Sequence, residues 1–194
     1  MILRDQLAPN HVRVTASSSP YHGLIFDVVE DTLVLASNGA SMTRQYIEHD
    51  DAIGIVAVRP GEAGEEVLLI RQYRHPLKSL MWEIPAGLLD IPGEDQVTAA
   101  ARELAEETDL VAERIEPLVR LSSSPGCSSE SAQIFLATGI RAADVAFVRE
   151  DEESEIEAVW LPVGEVVTAI LAGDLSCPTL VAGVLAYASR NSTF

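Results

Sequence analysis

Cysteine is almost missing from this sequence. Cys127 and Cys177 are the two in 194 residues, too few and too ordinarily placed for a disulfide framework or a zinc cluster, and both are read as reduced thiols. Positive charge is scarce as well: 13 Lys and Arg stand against 30 Asp and Glu, a formal net charge of −17 at pH 7. Such a chain repels polyanions, and without a Lys/Arg-rich run it offers no surface to track a phosphate backbone, which excludes nucleic acid as a partner. Long apolar runs are missing too. Nowhere do eighteen apolar residues stand together, and residues 1–14 carry no apolar stretch behind a basic start. The expectation is a cytoplasmic protein with no membrane partner. There is no internal repeat and no low-complexity tract.

What is present is enough apolar material, 47% of residues, to bury one sizeable core and a small accessory unit. Strand-like runs at Leu24–Val29 and Thr32–Leu35, with a turn at Ser37-Asn38-Gly39, predict a small antiparallel sheet over residues 1–48. Residues 49–194 form the second unit. Aliphatic runs at 52–58 and 67–73, separated by Pro60-Gly61-Glu62-Ala63-Gly64, predict a hairpin of core strands. Further strands are expected at Ile115–Leu121, Ala132–Thr138 and Ile156–Leu161, and helices at Glu94–Thr108, Val163–Ala172 and Pro178–Ser189. Strands and helices that do not strictly alternate indicate an α+β fold with a mixed sheet sandwiched by helices.

The chemistry is concentrated on the first helix. Glu103 and Glu107 are four residues apart, so both carboxylates leave one face about one turn apart, with Glu106 alongside. Like charges at that spacing cost a helix roughly 0.3 kcal/mol. A cation would relieve the repulsion, and clustered hard oxygens suit Mg²⁺ or Mn²⁺. A solvated helix face would also explain an acidic run; the surrounding pattern argues for more. Arg102 lies four residues before Glu106 and can hold that carboxylate, leaving the other two for a metal. Upstream, Glu83-Ile84-Pro85-Ala86-Gly87 places a proline and a glycine where a strand turns and backbone carbonyls can approach a ligand.

Gly87, Glu94, Arg102, Glu103, Leu104, Glu106, Glu107 and Leu110 together resemble the Nudix hydrolase motif: glycine, five residues, glutamate, seven residues, then Arg-Glu-aliphatic-x-Glu-Glu-x-Gly-aliphatic. Two positions depart from it. Six residues separate Gly87 from Glu94, and Asp109 stands where the family has glycine, at a left-handed position that aspartate tolerates better than most residues. The resemblance implies a Nudix-type α/β/α sandwich and a Mg²⁺ (or Mn²⁺) site made by Glu103, Glu107, Glu106 and the Ala86 carbonyl, with Glu94 and Arg102 mostly structural.

Three flanking segments, Thr43–His49, Arg71–Arg74 with Trp82–Leu88, and Ser124–Glu130, are similar to the ADP-ribose pyrophosphatase branch of that family. The branch implies hydrolysis of a small-molecule nucleotide sugar, ADP-ribose to AMP and ribose 5-phosphate, by a homodimer whose N-terminal sheet joins the catalytic domain. Arg44 and Arg74 can offer forked donors to phosphate oxygens against the acidic background, and Glu130 is a further substrate contact. Glu153 in the acidic loop matches the branch's general base, with Glu152 and Glu155 one alignment slip away. Trp82 is read equally as packing or as adenine stacking. The competing readings are a broader nucleoside diphosphate sugar or nucleoside triphosphate pyrophosphatase, and a non-catalytic ADP-ribose-binding module.

Overall fold

The computed structural model describes residues 3–147, 149 and 154–190. They divide into two compact units, one made of residues up to Asp50 together with Ser124–Glu130, the other of Asp51–Ser123 and the residues from Ser131 onward.

The first unit is a three-stranded antiparallel sheet in the order β1 (Val12–His22), β2 (Phe26–Leu35), β3 (Ser41–His49). The two short strands expected at 24–35 are a single strand. Its middle, Glu30-Asp31, is polar without being a turn, because Glu30 accepts from the Gln45 amide at 2.6 Å and Asp31 from the Tyr46 hydroxyl at 3.4 Å across the β2–β3 ladder. Leu24 and Ile25 fall outside that strand and are exposed. The expected turn at Asn38-Gly39 is present, with Gly39 at φ 73° and the Asn38 side chain accepting the Ala40 N–H. The 124–130 segment is fastened to β3: the Ile47 N–H donates to the Cys127 carbonyl at 2.8 Å and the Ser129 N–H to the Ile47 carbonyl at 2.9 Å.

The second unit is built on a seven-stranded mixed sheet. Its strands are β4 (Ala52–Gly61), β5 (Gly64–Arg74), β6 (Ser79–Glu83), β7 (Ala86–Leu88), β9 (Arg114–Ser122), β10 (Ser131–Thr138) and β12 (Glu157–Pro162). The main path runs β12-β5-β4-β10-β9, with β6 on β5 and β7 on β4. β4 and β10 pair in parallel, while the other pairs are antiparallel. A two-stranded ribbon joins β8 (Leu110–Val111) to β11 (Arg141–Ala142). Three helices, α1 (Gln96–Thr108), α2 (Val163–Ala172) and α3 (Pro178–Arg190), cover the sheet.

Alternation along the strands sends side chains to two cores. Ile53, Ile55, Ala57, Phe135 and Ala137 meet Ala99, Ala100 and Leu104 of α1 on one face. Val56, Val58, Ile134 and Leu136 meet Val166 and Ile170 of α2 and Leu180, Val184 and Tyr187 of α3 on the other. The arrangement is the expected α+β fold with helices on both faces of a mixed sheet. The strand at 52–61 reads as a near-continuous apolar run because both of its faces are covered.

Candidate active site

α1 begins at Gln96 rather than Glu94. Asp95 is its N-cap, accepting the Val97 and Thr98 N–H groups at 3.1 Å each, so two of the orphan donors of the first turn are satisfied by side chain. Bonds from the Thr98 hydroxyl and these N–H groups hold the Asp95 carboxyl below its ordinary range. The residue inserted between Gly87 and Glu94 is absorbed in the loop ahead of the cap, where Gly93 takes φ 83° and the Glu94 N–H closes on the Ile91 carbonyl. Leu104, fully buried, anchors the inner face of the helix, while Arg102, Glu103 and Glu106 are partly exposed and Glu107 is buried.

The helix carboxylates face β7. That short strand is held rigidly on β4 by the pairs Ala52–Leu88, Ile53–Gly87 and Gly54–Ala86. The flanking Pro85 carbonyl accepts the Ile55 N–H, and the Leu89 N–H reaches the Asp51 carbonyl, both at 2.8 Å. Glu107 accepts the Ala86 N–H at 3.0 Å. Glu103 lies directly over Gly87, so closely that an added Cβ would stand 2.1 Å from its carboxyl carbon and 2.2 Å from Oε1. Glycine is required there for close approach, since only a hydrogen fits beneath the carboxylate.

Arg102 ties the cluster together, and more widely than expected. It pairs with Glu106 at 3.0 Å, but also with Glu103 at 2.7 Å, and it grips both oxygens of Glu94 at 3.1 and 3.0 Å. The expectation that it would hold one carboxylate and leave the other two is therefore corrected. Its guanidinium is held still more firmly protonated than usual, first by the Glu94 hydrogen bonds and then by the attraction of Glu103 and Glu106. One cation thus serves three carboxylates, with Glu107 one turn on, and the site keeps an excess of negative charge.

That excess fits a divalent cation. Among the described residues no three His, Cys, Asp or Glu side chains already surround one point. Mg²⁺ does not ask for this, since it commonly takes one or two protein carboxylates and fills its shell with waters and substrate phosphates. Glu103 and Glu107 beside the Ala86-Gly87 main chain, with Glu106 on the same turn, make a donor set of that kind.

Arg74 sits at the end of β5 in a bidentate pair with Glu83, both N–O distances 2.7 Å. The Glu83 bond dominates in raising the Arg74 pKa. Glu83 is buried and ends β6 immediately before Ile84-Pro85-Ala86-Gly87, so this pair anchors the segment that carries Ala86. The signal for it was a carboxylate inside the apolar run Met81–Pro85. Trp82 is partly buried against the core, with the Arg71 guanidinium 5.5 Å from its ring. In the first unit, Arg44 lies on β3 and donates to the neighbouring Thr43 carbonyl, and the Glu130 N–H is held by the Ser128 hydroxyl. Glu152 and Glu153 lie outside the described residues.

Asp109 takes the left-handed conformation, φ 56°, ψ 31°, and closes the helix through its N–H to the Ala105 carbonyl. The glycine position of the motif is therefore occupied with its backbone shape intact.

Residues 48–176 match the NUDIX domain model. The chain belongs to the Nudix family. It is a Nudix hydrolase, and hydrolases of this family generally use divalent metal ions. Among relatives, it is 38% identical over 173 residues to an ADP-ribose pyrophosphatase of Mycobacterium tuberculosis (strain ATCC 25618 / H37Rv), covering 89% of this chain and 81% of that one. It is 32% identical over 128 residues to a methanol dehydrogenase activator of Bacillus methanolicus, covering 66% of each. The fold matches the crystal structure of an ADP compounds hydrolase with a TM-score of 0.79 at 21% identity, over 95% of this chain and 96% of that one. Among the described residues no helix is long and apolar enough to cross a membrane.

Proposed function

We propose that this Nudix hydrolase cleaves the pyrophosphate of a nucleoside diphosphate sugar, ADP-ribose in the first instance, to AMP and ribose 5-phosphate, with Mg²⁺ as the metal. The observation that carries the reading is the placing of the α1 carboxylates on β7: Glu107 bonded to the Ala86 N–H and Glu103 pressed on Gly87. The similarity to the mycobacterial ADP-ribose pyrophosphatase over most of both chains supports the choice of substrate.

In this reading Glu103 and Glu107 hold the cation with help from Glu106 and the Ala86 carbonyl. The bound ion would neutralise charge on the pyrophosphate oxygens. Arg102 holds the three glutamates it touches in register, and Glu94 fixes Arg102. Arg44, Arg74 and Glu130 are the proposed substrate contacts, Arg74 also holding Glu83. Glu153 is the proposed base for the attacking water. The acting form is a cytoplasmic homodimer.

Specificity constants for ADP-ribose, ADP-glucose, UDP-glucose and dGTP, each with Mg²⁺, test the assignment. ADP-ribose is expected to lead by at least about tenfold, a transition-state preference of about 1.4 kcal/mol. A lead for dGTP or an equal response to all four would overturn it. Glu107→Gln keeps an acceptor for the Ala86 N–H, so the fold should survive while turnover falls by at least about 10². Near-normal turnover would remove Glu107 from the metal site.

A further inference from the structure

Asp109 does more than tolerate a position where its family has glycine. One carboxylate oxygen, Oδ1, accepts the Phe147 N–H at 2.7 Å, and the other, Oδ2, accepts from the Arg149 guanidinium. Arg149 in turn donates through Nε to the Glu106 carbonyl at 2.9 Å. That carbonyl is among the last four of α1, which have no acceptor role within the helix, and a cation at a helix C-terminus is favoured by the helix dipole. The Asp109 carbonyl also takes the Ala143 N–H at 2.8 Å, beside the β8–β11 ribbon. A glycine at 109 would adopt the same backbone with less strain but would provide neither carboxylate bond.

We propose that Asp109 and Arg149 form a clasp that ties the last turn of α1, with Glu106 and Glu107 on it, to the main chain at Phe147, and that Asp109 is a positioning residue for the hydrolysis. The inference rests on the reading of those glutamates as the metal-holding groups, and it adds a residue outside the motif's acidic positions. Asp109 is proposed to act through its protein contacts, not as a metal ligand or substrate contact. Its effect runs through the place of the Glu106 main chain, which Arg149 holds, and of the Phe147 amide.

The experiment joins amide hydrogen exchange of the metal-free protein to steady-state kinetics on ADP-ribose with Mg²⁺. Asp109→Gly is expected to speed exchange of the Phe147 amide at least tenfold and to lower kcat at least tenfold, while KM stays within twofold and the melting temperature does not fall. Arg149→Ala should lower kcat similarly, and the double variant should be no worse than the poorer single one, because both remove one clasp. Asp109→Asn keeps an acceptor for the Phe147 N–H but turns its NH2 toward the Arg149 guanidinium, so it should restore Phe147 protection while recovering only part of the kcat lost in Asp109→Gly. Unchanged Phe147 protection in Asp109→Gly, or kcat within twofold of the parent, would overturn the proposal. If the parent does not hydrolyse ADP-ribose, the substrate reading fails; kcat is then read on whichever of the other three nucleotides it cleaves, and if it cleaves none of them the positioning role fails with it.

Discussion

Replacing Gly87 with alanine isolates the packing of strand on carboxylate. The new Cβ would lie 2.1 Å from the Glu103 carboxyl carbon, against an ordinary contact of at least 3.4 Å. The carboxyl group must therefore withdraw by 1.3 Å (3.4 − 2.1). The neighbour that moves is the far end of a flexible side chain, so the strand can stay in place, and overpacking should cost about 1 kcal/mol, or about 2–4 °C in Tm for a chain of this size. Displacing a reacting group by about 1 Å can cost about 10²-fold in rate, close to 2.7 kcal/mol of barrier. The assay is kcat/KM on ADP-ribose across a Mg²⁺ titration, beside a melting curve. Gly87→Ala should lose about 100-fold and need more Mg²⁺. Gly164→Ala is the control: a Cβ there meets nothing within 4 Å, it lies in α2, and it should be neutral or slightly stabilising. If Gly87→Ala keeps activity within threefold of the parent, Glu103 does not act from where it stands.

Arg102→Ala leaves Glu94, Glu103 and Glu106 without their shared cation; urea unfolding should show a loss of about 2 kcal/mol, partly restored by millimolar Mg²⁺, and no loss would show the network to be ornamental. Asp95 has a depressed folded pKa, so its cap contributes above the ordinary carboxylate pKa and is lost as pH falls through the folded value. Asp95→Ala should then melt below the parent at pH 7, the gap narrowing at low pH; a gap independent of pH would contradict this. Leu104→Ala opens a cavity under α1 where the side chain is fully buried and should cost about 3 kcal/mol by denaturant titration; a cost under about 1 kcal/mol would mean the helix is not held by that core.

Helix α1 was legible because its signals are local. An Ala-, Glu- and Leu-rich run and a four-residue spacing of carboxylates lie within fifteen residues of one another, although the helix was expected to begin at Glu94 and the capping role of Asp95 emerged only from the structure. β4, β5, β9, β10 and β12 were legible for a similar reason, being aliphatic runs bounded by turn residues. β1 was not, since VRVTASSSPYH is exposed along most of its length and pairs with β2 through two register shifts, which breaks any alternation a reader could follow. β7 is three residues long and has no periodicity to show. Within the site, the Arg102–Glu106 pair follows from helical spacing. Its grip on Glu94 depends on how the loop after Gly93 folds back, and the Asp109–Arg149 contact joins residues 40 apart, beyond the reach of local pattern. The Arg74–Glu83 pair was hidden similarly, because it forms across the β5–β6 ladder rather than along one strand.

The α1 carboxylates are proposed to serve metal-dependent cleavage of a nucleoside diphosphate sugar. Incubating the protein with ADP-ribose and Mg²⁺ in ¹⁸O-water and weighing the products tests it most directly. The prediction is AMP and ribose 5-phosphate, one of the two carrying a single ¹⁸O, with turnover abolished by EDTA and restored by Mg²⁺. Intact ADP-ribose, or cleavage that continues undiminished in EDTA, would contradict it.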